Sequence, residues 1–131
     1  MFVDASAIVA MLAGEDDAPD LSRRFSRAES VTTSAVAVYE AVLGLARAQS
    51  ISTSDAETAV GDLLSHARVE IIPITAEIGR AAIRAFERFG RGQHPARLNM
   101  GDCFAYACAR ALGVPLLFKG DDFAQTDIAV G

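Results

Sequence analysis

The feature that most constrains this chain is an alternation. Short apolar, β-branched runs are separated by longer stretches in which apolar residues recur three and four apart. Runs of the first kind read as buried strands and stretches of the second kind as amphipathic helices. Strands are expected over residues 1–4, Val31-Thr32-Thr33, Val69 to Pro73, Leu116-Leu117-Phe118 and Ile128-Ala129-Val130. Helices are expected from Ser6 to about Ala13, over 20–29, from Ala35 to about Gln49, from Ser54 to about His66, from Thr75 to about Phe89, and from Gly101 or Asp102 to Leu112. Such an alternation makes an α/β domain with a mainly parallel sheet. With 131 residues and neither repeat nor linker, the chain suits one domain.

Local signals sharpen the boundaries. Asp17 or Pro19 opens the second helix, and Ser34 is the expected N-cap of the third. There Val36, Tyr39, Val42, Leu43 and Ala46 share a face and are the expected core side. Ser54 with Glu57 has the spacing of a capping box. Gly113 is the expected C-cap of the last helix, with Pro115 beyond it, and Gly90 to Leu98 is the longest loop.

In open parallel sheets the chemistry lies beyond the carboxyl ends of the strands. Asp4 stands at the exit of the first strand, and Asp121 and Asp122 stand just past the Leu116–Phe118 strand. Asp102 begins the helix leading into that strand, which puts it at the other end of the unit unless the connections bring the helix start across. Glu40 has nonpolar neighbours one turn away on both sides, Val36, Ala37, Leu43 and Gly44. A carboxylate on such a face needs a partner, and a metal ion is a good one. Each acid also has a plain structural use: Asp4 as an N-cap, Asp102 as a first-turn acid, Asp121 and Asp122 as turn residues, Glu40 on a solvated face. Jointly they make a phosphate-handling site for a hard divalent cation.

Composition narrows the function. A formal net charge of −5 argues against broad attraction to nucleic acid, but a cation held by carboxylates reverses the local sign. Of the twelve basic residues eleven are Arg, a side chain suited to bidentate phosphate contacts. Arg80, Arg84 and Arg88 recur at i, i+4, i+8, followed by Arg91 and Arg97. This stripe reads equally as a track for an RNA backbone and as a solvated helix face. With 51% hydrophobic residues the chain has material for a core, which excludes disorder.

No apolar run approaches the ~20 residues of a membrane span. The start lacks the basic region of a signal peptide. Cys103 and Cys108, five apart with no second pair, read as reduced and buried. These features point to the cytoplasm. His66 and His94 have no ligand spacing, and Phe118-Lys119-Gly120-Asp121 lacks a Walker loop's glycines. An aspartyl phosphatase of the haloacid-dehalogenase type needs a second acid where Ser6 stands, and a receiver domain needs a phosphoacceptor Asp that Pro73-Ile74-Thr75 does not supply. A non-catalytic binding module, its acids serving only as caps, predicts no stabilisation by metal.

Four segments carry a resemblance: Val3-Asp4-Ala5-Ser6-Ala7; Tyr39-Glu40-Ala41; Leu98-Asn99-Met100-Gly101-Asp102-Cys103-Phe104-Ala105-Tyr106-Ala107; and Leu117-Phe118-Lys119-Gly120-Asp121-Asp122-Phe123. Together the chain resembles the PIN-domain ribonucleases of the VapC toxin type, from residue 2 to about 130. The resemblance implies a single PIN-like domain over 1–131, a three-layer α/β/α fold with a mainly parallel central sheet. It implies an endoribonuclease holding Mg²⁺ or Mn²⁺ on Asp4, Glu40, Asp102 and a fourth acid, with the start of the last helix brought across to the others. Asp121 is the expected fourth acid and Asp122 its rival; Ser6 and Asn99 match polar residues that orient carboxylates or waters. It further implies an RNA substrate, a VapB-like antitoxin that blocks the site, and a toxin homodimer.

Overall fold

The computed structural model describes residues 1–131. The order of elements is β1 (Phe2–Val3), α1 (Ala5–Ala13), α2 (Ala18–Arg27), β2 (Thr32–Ser34), α3 (Ala35–Gln49), α4 (Thr53–His66), β3 (Glu70–Ile72), α5 (Ala76–Phe89), α6 (Met100–Leu112) and β4 (Leu116–Leu117). A 3₁₀ turn follows at Phe123–Gln125. The four strands form one parallel sheet in the order β3-β2-β1-β4, with Phe2 opposite both Thr32 and Leu116.

Residues alternate across the sheet and divide the core in two. Phe2, Ile72 and Leu116 point into a cluster with Ile78, Ala82 and Ala85 of α5 and Cys103, Ala107 and Cys108 of α6. Val3 and Leu117 point the other way, into a cluster with Ile8 of α1, Leu21 and Phe25 of α2, Leu45 of α3 and Val60 of α4. The period of two in the strands thus produces two helical layers around the sheet, an α/β/α sandwich. Both cysteines are buried free thiols.

The helix boundaries follow the capping chemistry. Ser34 accepts a hydrogen bond from Ala37 N–H at 3.2 Å, and Gly113 closes α6 in the left-handed region at φ 65°. Three expectations need correction. Helix α4 is capped by Ser52, which accepts from Asp55 N–H, so the expected Ser54–Glu57 box lies inside the helix. Residues 128–130 form only a single bridge, Leu116 to Val130, and no strand. The buried side of α3 is Ala37, Ala41, Val42 and Leu45, while Tyr39 is 65% exposed. The reason is close packing: a methyl on Gly44 would stand 3.0 Å from Val9 of α1, so small residues face that helix.

The start of α6, left open by spacing alone, follows from the topology. A helix leading into a parallel strand runs opposite to it, so its N-terminus lies at the carboxyl edge of the sheet. Asp102 therefore starts on the same edge as Asp4, not at the other end. The strands are only two or three residues long, so α3 and α6, from opposite layers, meet beyond that edge.

Candidate metal centre

Asp4 follows β1 in an extended conformation, and its N–H donates to Leu117 O of β4 at 2.9 Å. This fixes the aspartate at the exit of β1, beside the edge strand β4. One carboxylate oxygen, Oδ2, accepts from Ser6 N–H at 2.9 Å and from Ser6 Oγ–H at 2.5 Å. The other, Oδ1, is buried and has no hydrogen-bond partner, in a residue only 3% exposed. Burial pushes the Asp4 carboxyl up from its ordinary range, against the pull of the Ser6 hydrogen bonds. Ser6 Oγ in turn accepts from Lys119 N–H at 3.0 Å. One hydroxyl thus ties the first acid to the segment that leaves β4.

Glu40 lies in the second turn of α3, brought to the sheet edge by the Ser34 cap. It is half-buried, with its carboxylate packed over the backbone of Gly101 in the space a β-carbon would take. Burial raises its carboxyl first, and the charges of Asp4 and Asp102 raise it further. Asp102 belongs to a reciprocal cap at the start of α6. Asn99 Oδ1 accepts from Asp102 N–H, and Asp102 Oδ2 accepts from Asn99 N–H, each at 2.9 Å. The Asp102 carboxyl is pushed up to about 6, chiefly by burial and also by the charges of Asp4 and Asp122, while the Asn99 hydrogen bond and Arg91 oppose the shift.

The sequence expectations can now be located. Asp4, Glu40 and Asp102 sit at one edge; the charges of Asp4 and Asp102 act on Glu40, and that of Asp4 acts on Asp102. Ser6 orients Asp4, and Asn99 holds Asp102. Asp121 and Asp122 are both exposed, and the charge of Asp122 raises Asp102. The acids face a common region without forming a closed cage: no three carboxylate, imidazole or thiol groups are assembled around one point. Part of the reason is that Asp102 spends one oxygen on its own helix cap. Gly101 was read in the sequence only as a helix start and not as the seat of Glu40; Arg91 was read there only as part of an arginine stripe. A glycine in the first turn of a helix, where it weakens the helix, was the signal for the first.

The donor set is suited to a hard divalent cation. It is made of carboxylate oxygens, and the bare, buried Oδ1 of Asp4 is an acceptor that only a cation or a donor would satisfy.

Comparisons with known proteins give the family. The family profile described as the PIN domain matches residues 1–129. Ribonuclease VapC42 of Mycobacterium tuberculosis is 40% identical over 129 residues, covering 98% of this chain and 96% of its own. A VapC ribonuclease of Rhizobium meliloti is 38% identical over 140 residues, covering 97% and 98%. Among solved structures, VapC20 of M. tuberculosis, described as a toxin that cleaves the sarcin-ricin loop, superposes with a TM-score of 0.79 at 22% identity, over 98% of this chain and 95% of that one. The last comparison speaks for the fold.

Proposed function

The chain belongs to the PIN-domain family, with VapC ribonucleases as its relatives, and from that premise we propose that it is a divalent-metal-dependent endoribonuclease, the toxin of a toxin–antitoxin pair. The observation that carries the proposal is the Asp4 carboxylate, with one oxygen saturated by Ser6 and the other buried without a partner at the edge where Glu40 and Asp102 converge.

In this reading residues 1–131 act as one PIN-like domain. Asp4 and Asp102 would hold Mg²⁺ or Mn²⁺, with Glu40 completing the set. A bound ion of this kind supplies an acidified water and a counter-charge for a phosphodiester. Ser6 fixes the rotamer of Asp4 and Asn99 that of Asp102, so neither carboxylate has to be ordered when substrate arrives. Glu40, whose affinity for a proton is raised by burial and by its acidic neighbours, accepts the proton of the attacking water. The water oxygen bonds to phosphorus in line as the bond to the leaving sugar oxygen breaks. For the fourth acid Asp121 and Asp122 are the alternatives, and the charge of Asp122 at Asp102 favours Asp122.

The partners are those that kinship with VapC ribonucleases implies. An RNA strand is the substrate. A VapB-like antitoxin neutralises the enzyme by inserting a cationic side chain among the acids, and the toxin works as a homodimer in the cytoplasm. No helix is long and apolar enough to cross a membrane.

The test is a cleavage assay on total RNA with wild type and Asp4→Asn in Mg²⁺, Mn²⁺ or EDTA. Metal-dependent cleavage absent from the variant supports the reading. No cleavage in any condition, with thermal stability unmoved by metal, would overturn it in favour of a binding module.

A further inference from the structure

The loop over 90–98 is braced to an unusual degree for a surface segment. Gly90 and Leu98 form a parallel bridge; Arg91 N–H donates to Leu98 O at 3.0 Å, and Leu98 N–H to Phe89 O at 2.9 Å. His94 N–H donates to Gly90 O at 3.1 Å, and His94 Nδ1 accepts from Ala96 N–H, also at 3.1 Å. The His94 ring stands edge-on to Phe89 with centroids 5.2 Å apart, and Ala96 and Leu98 are fully buried. On this frame Arg91 and Arg97 are exposed, and neither takes part in an ion pair. Arg97 is held at φ 52°, a left-handed conformation unusual for a side chain of this size. Arg80 and Arg88, by contrast, are engaged by Glu77 and Asp127.

The braces also fix where Arg91 stands. Its N–H bonds to the carbonyl of Leu98, and the next residue, Asn99, donates its N–H to the Asp102 carboxylate. Arg91 is therefore one peptide away from the cap that holds a candidate metal ligand. The concave surface running from it is lined by Arg91, Gly92, Gln93, His94, Pro95 and Arg97, with no carboxylate among them. In a chain of net charge −5 such a patch beside the acids is where a polyanion is admitted.

Resting on the ribonuclease reading, we propose that Arg91 is a positioning residue for the RNA backbone, its guanidinium holding a phosphate next to the scissile one, with Arg97 extending the track along the same rigid loop. A guanidinium presents paired donors to phosphate oxygens, and a braced loop presents them at little entropic cost.

The experiment compares Arg91→Ala and Arg91→Lys with wild type in steady-state RNA cleavage. It also measures binding of a short labelled single-stranded oligoribonucleotide to the uncleaving Asp4→Asn protein, with and without each Arg91 change, across a salt series. Arg91→Ala is expected to raise KM about tenfold, the size of one charge-assisted contact, with kcat little changed. The slope of log affinity against log salt should shrink by about 0.7, one phosphate on a single strand. Arg91→Lys should restore the slope, since it keeps the charge, and only part of the affinity. Unchanged KM and slope, or a fall in kcat alone, would show that Arg91 merely balances Asp102 and would overturn the proposal while wild-type cleavage left the ribonuclease reading standing. Wild type that neither cleaves nor binds RNA would overturn both.

Discussion

At the scale of single residues the site is a contrast between saturated and bare oxygens. Asp4 was legible in the sequence because an acid directly after an apolar run marks a strand end; that one of its oxygens lacks a partner was not, since this depends on Ser6 folding back on it. Asp4→Asn keeps an acceptor for Ser6 and removes the charge. Cleavage is expected to fall at least about a hundredfold, comparable with the upper effect of disturbing a metal's surroundings. The metal-free melting temperature should hold or rise, because burial no longer penalises an anion. Full activity in this variant would remove Asp4 from the site. Gly101→Ala is the sharper probe. Its methyl takes the volume now filled by the Glu40 carboxylate, the movable end of a flexible side chain. Stability should be kept or improved by up to about 1 kcal/mol of helix propensity. Cleavage should drop at least about tenfold, by the same reckoning for a displaced ligand. Unaltered cleavage would mean that the seat of Glu40 over Gly101 is irrelevant to the chemistry.

At the scale of elements, α3 and α6 carry the acids because of how they start and what they face. The Ser34 cap and the Gly113 stop were readable, being local chemistry. The inward face of α3 was not: Val36, Tyr39 and Leu43 offer more apolar bulk than Ala37 and Ala41, but the approach of α1 at Gly44 selects small side chains. The capping box of α6 serves two ends, since Asn99 both starts the helix and holds Asp102. Asn99→Ala should cost about 1 kcal/mol in denaturant unfolding, the usual value of an N-cap. It should also weaken metal binding about tenfold, the low end for a residue that orients a ligand. The two readings separate its roles: a stability loss with unchanged metal affinity would make Asn99 a cap and nothing more.

At the scale of the whole molecule, the acids make the fold's stability depend on pH in a particular direction. Asp102 is raised to about 6, so between its unfolded value near 4 and that pH the folded protein binds more protons than the unfolded chain. The stability it contributes is present at low pH and lost as pH rises through 6; Asp4 and Glu40 are raised too and act in the same sense. Without metal, chemical unfolding should therefore show a gain of about 1–2 kcal/mol on going from pH 7 to pH 4.5, the shift being discounted for partial exposure. With Mn²⁺ at about a hundred times its dissociation constant, stabilisation near 2.7 kcal/mol is expected at pH 7.5 and should fade as pH drops below 6. A flat pH profile would deny the acids their shared environment. The alternation of strands and helices made the α/β class readable, whereas the meeting of Glu40 with Gly101 across two layers was not, because it depends on how short the strands are.

The sheet order has a consequence for the chain while it is being made. β1 pairs with β4, whose residues follow it by more than a hundred positions, and the Ser6 hydroxyl that orients Asp4 receives its bond from Lys119. A nascent polypeptide on the ribosome holds Asp4 and Glu40 early but lacks the strand, the last helix and the cap that complete the edge. The arrangement of acids at that edge is then completed only once β4 has been made, and no product truncated before β4 carries it.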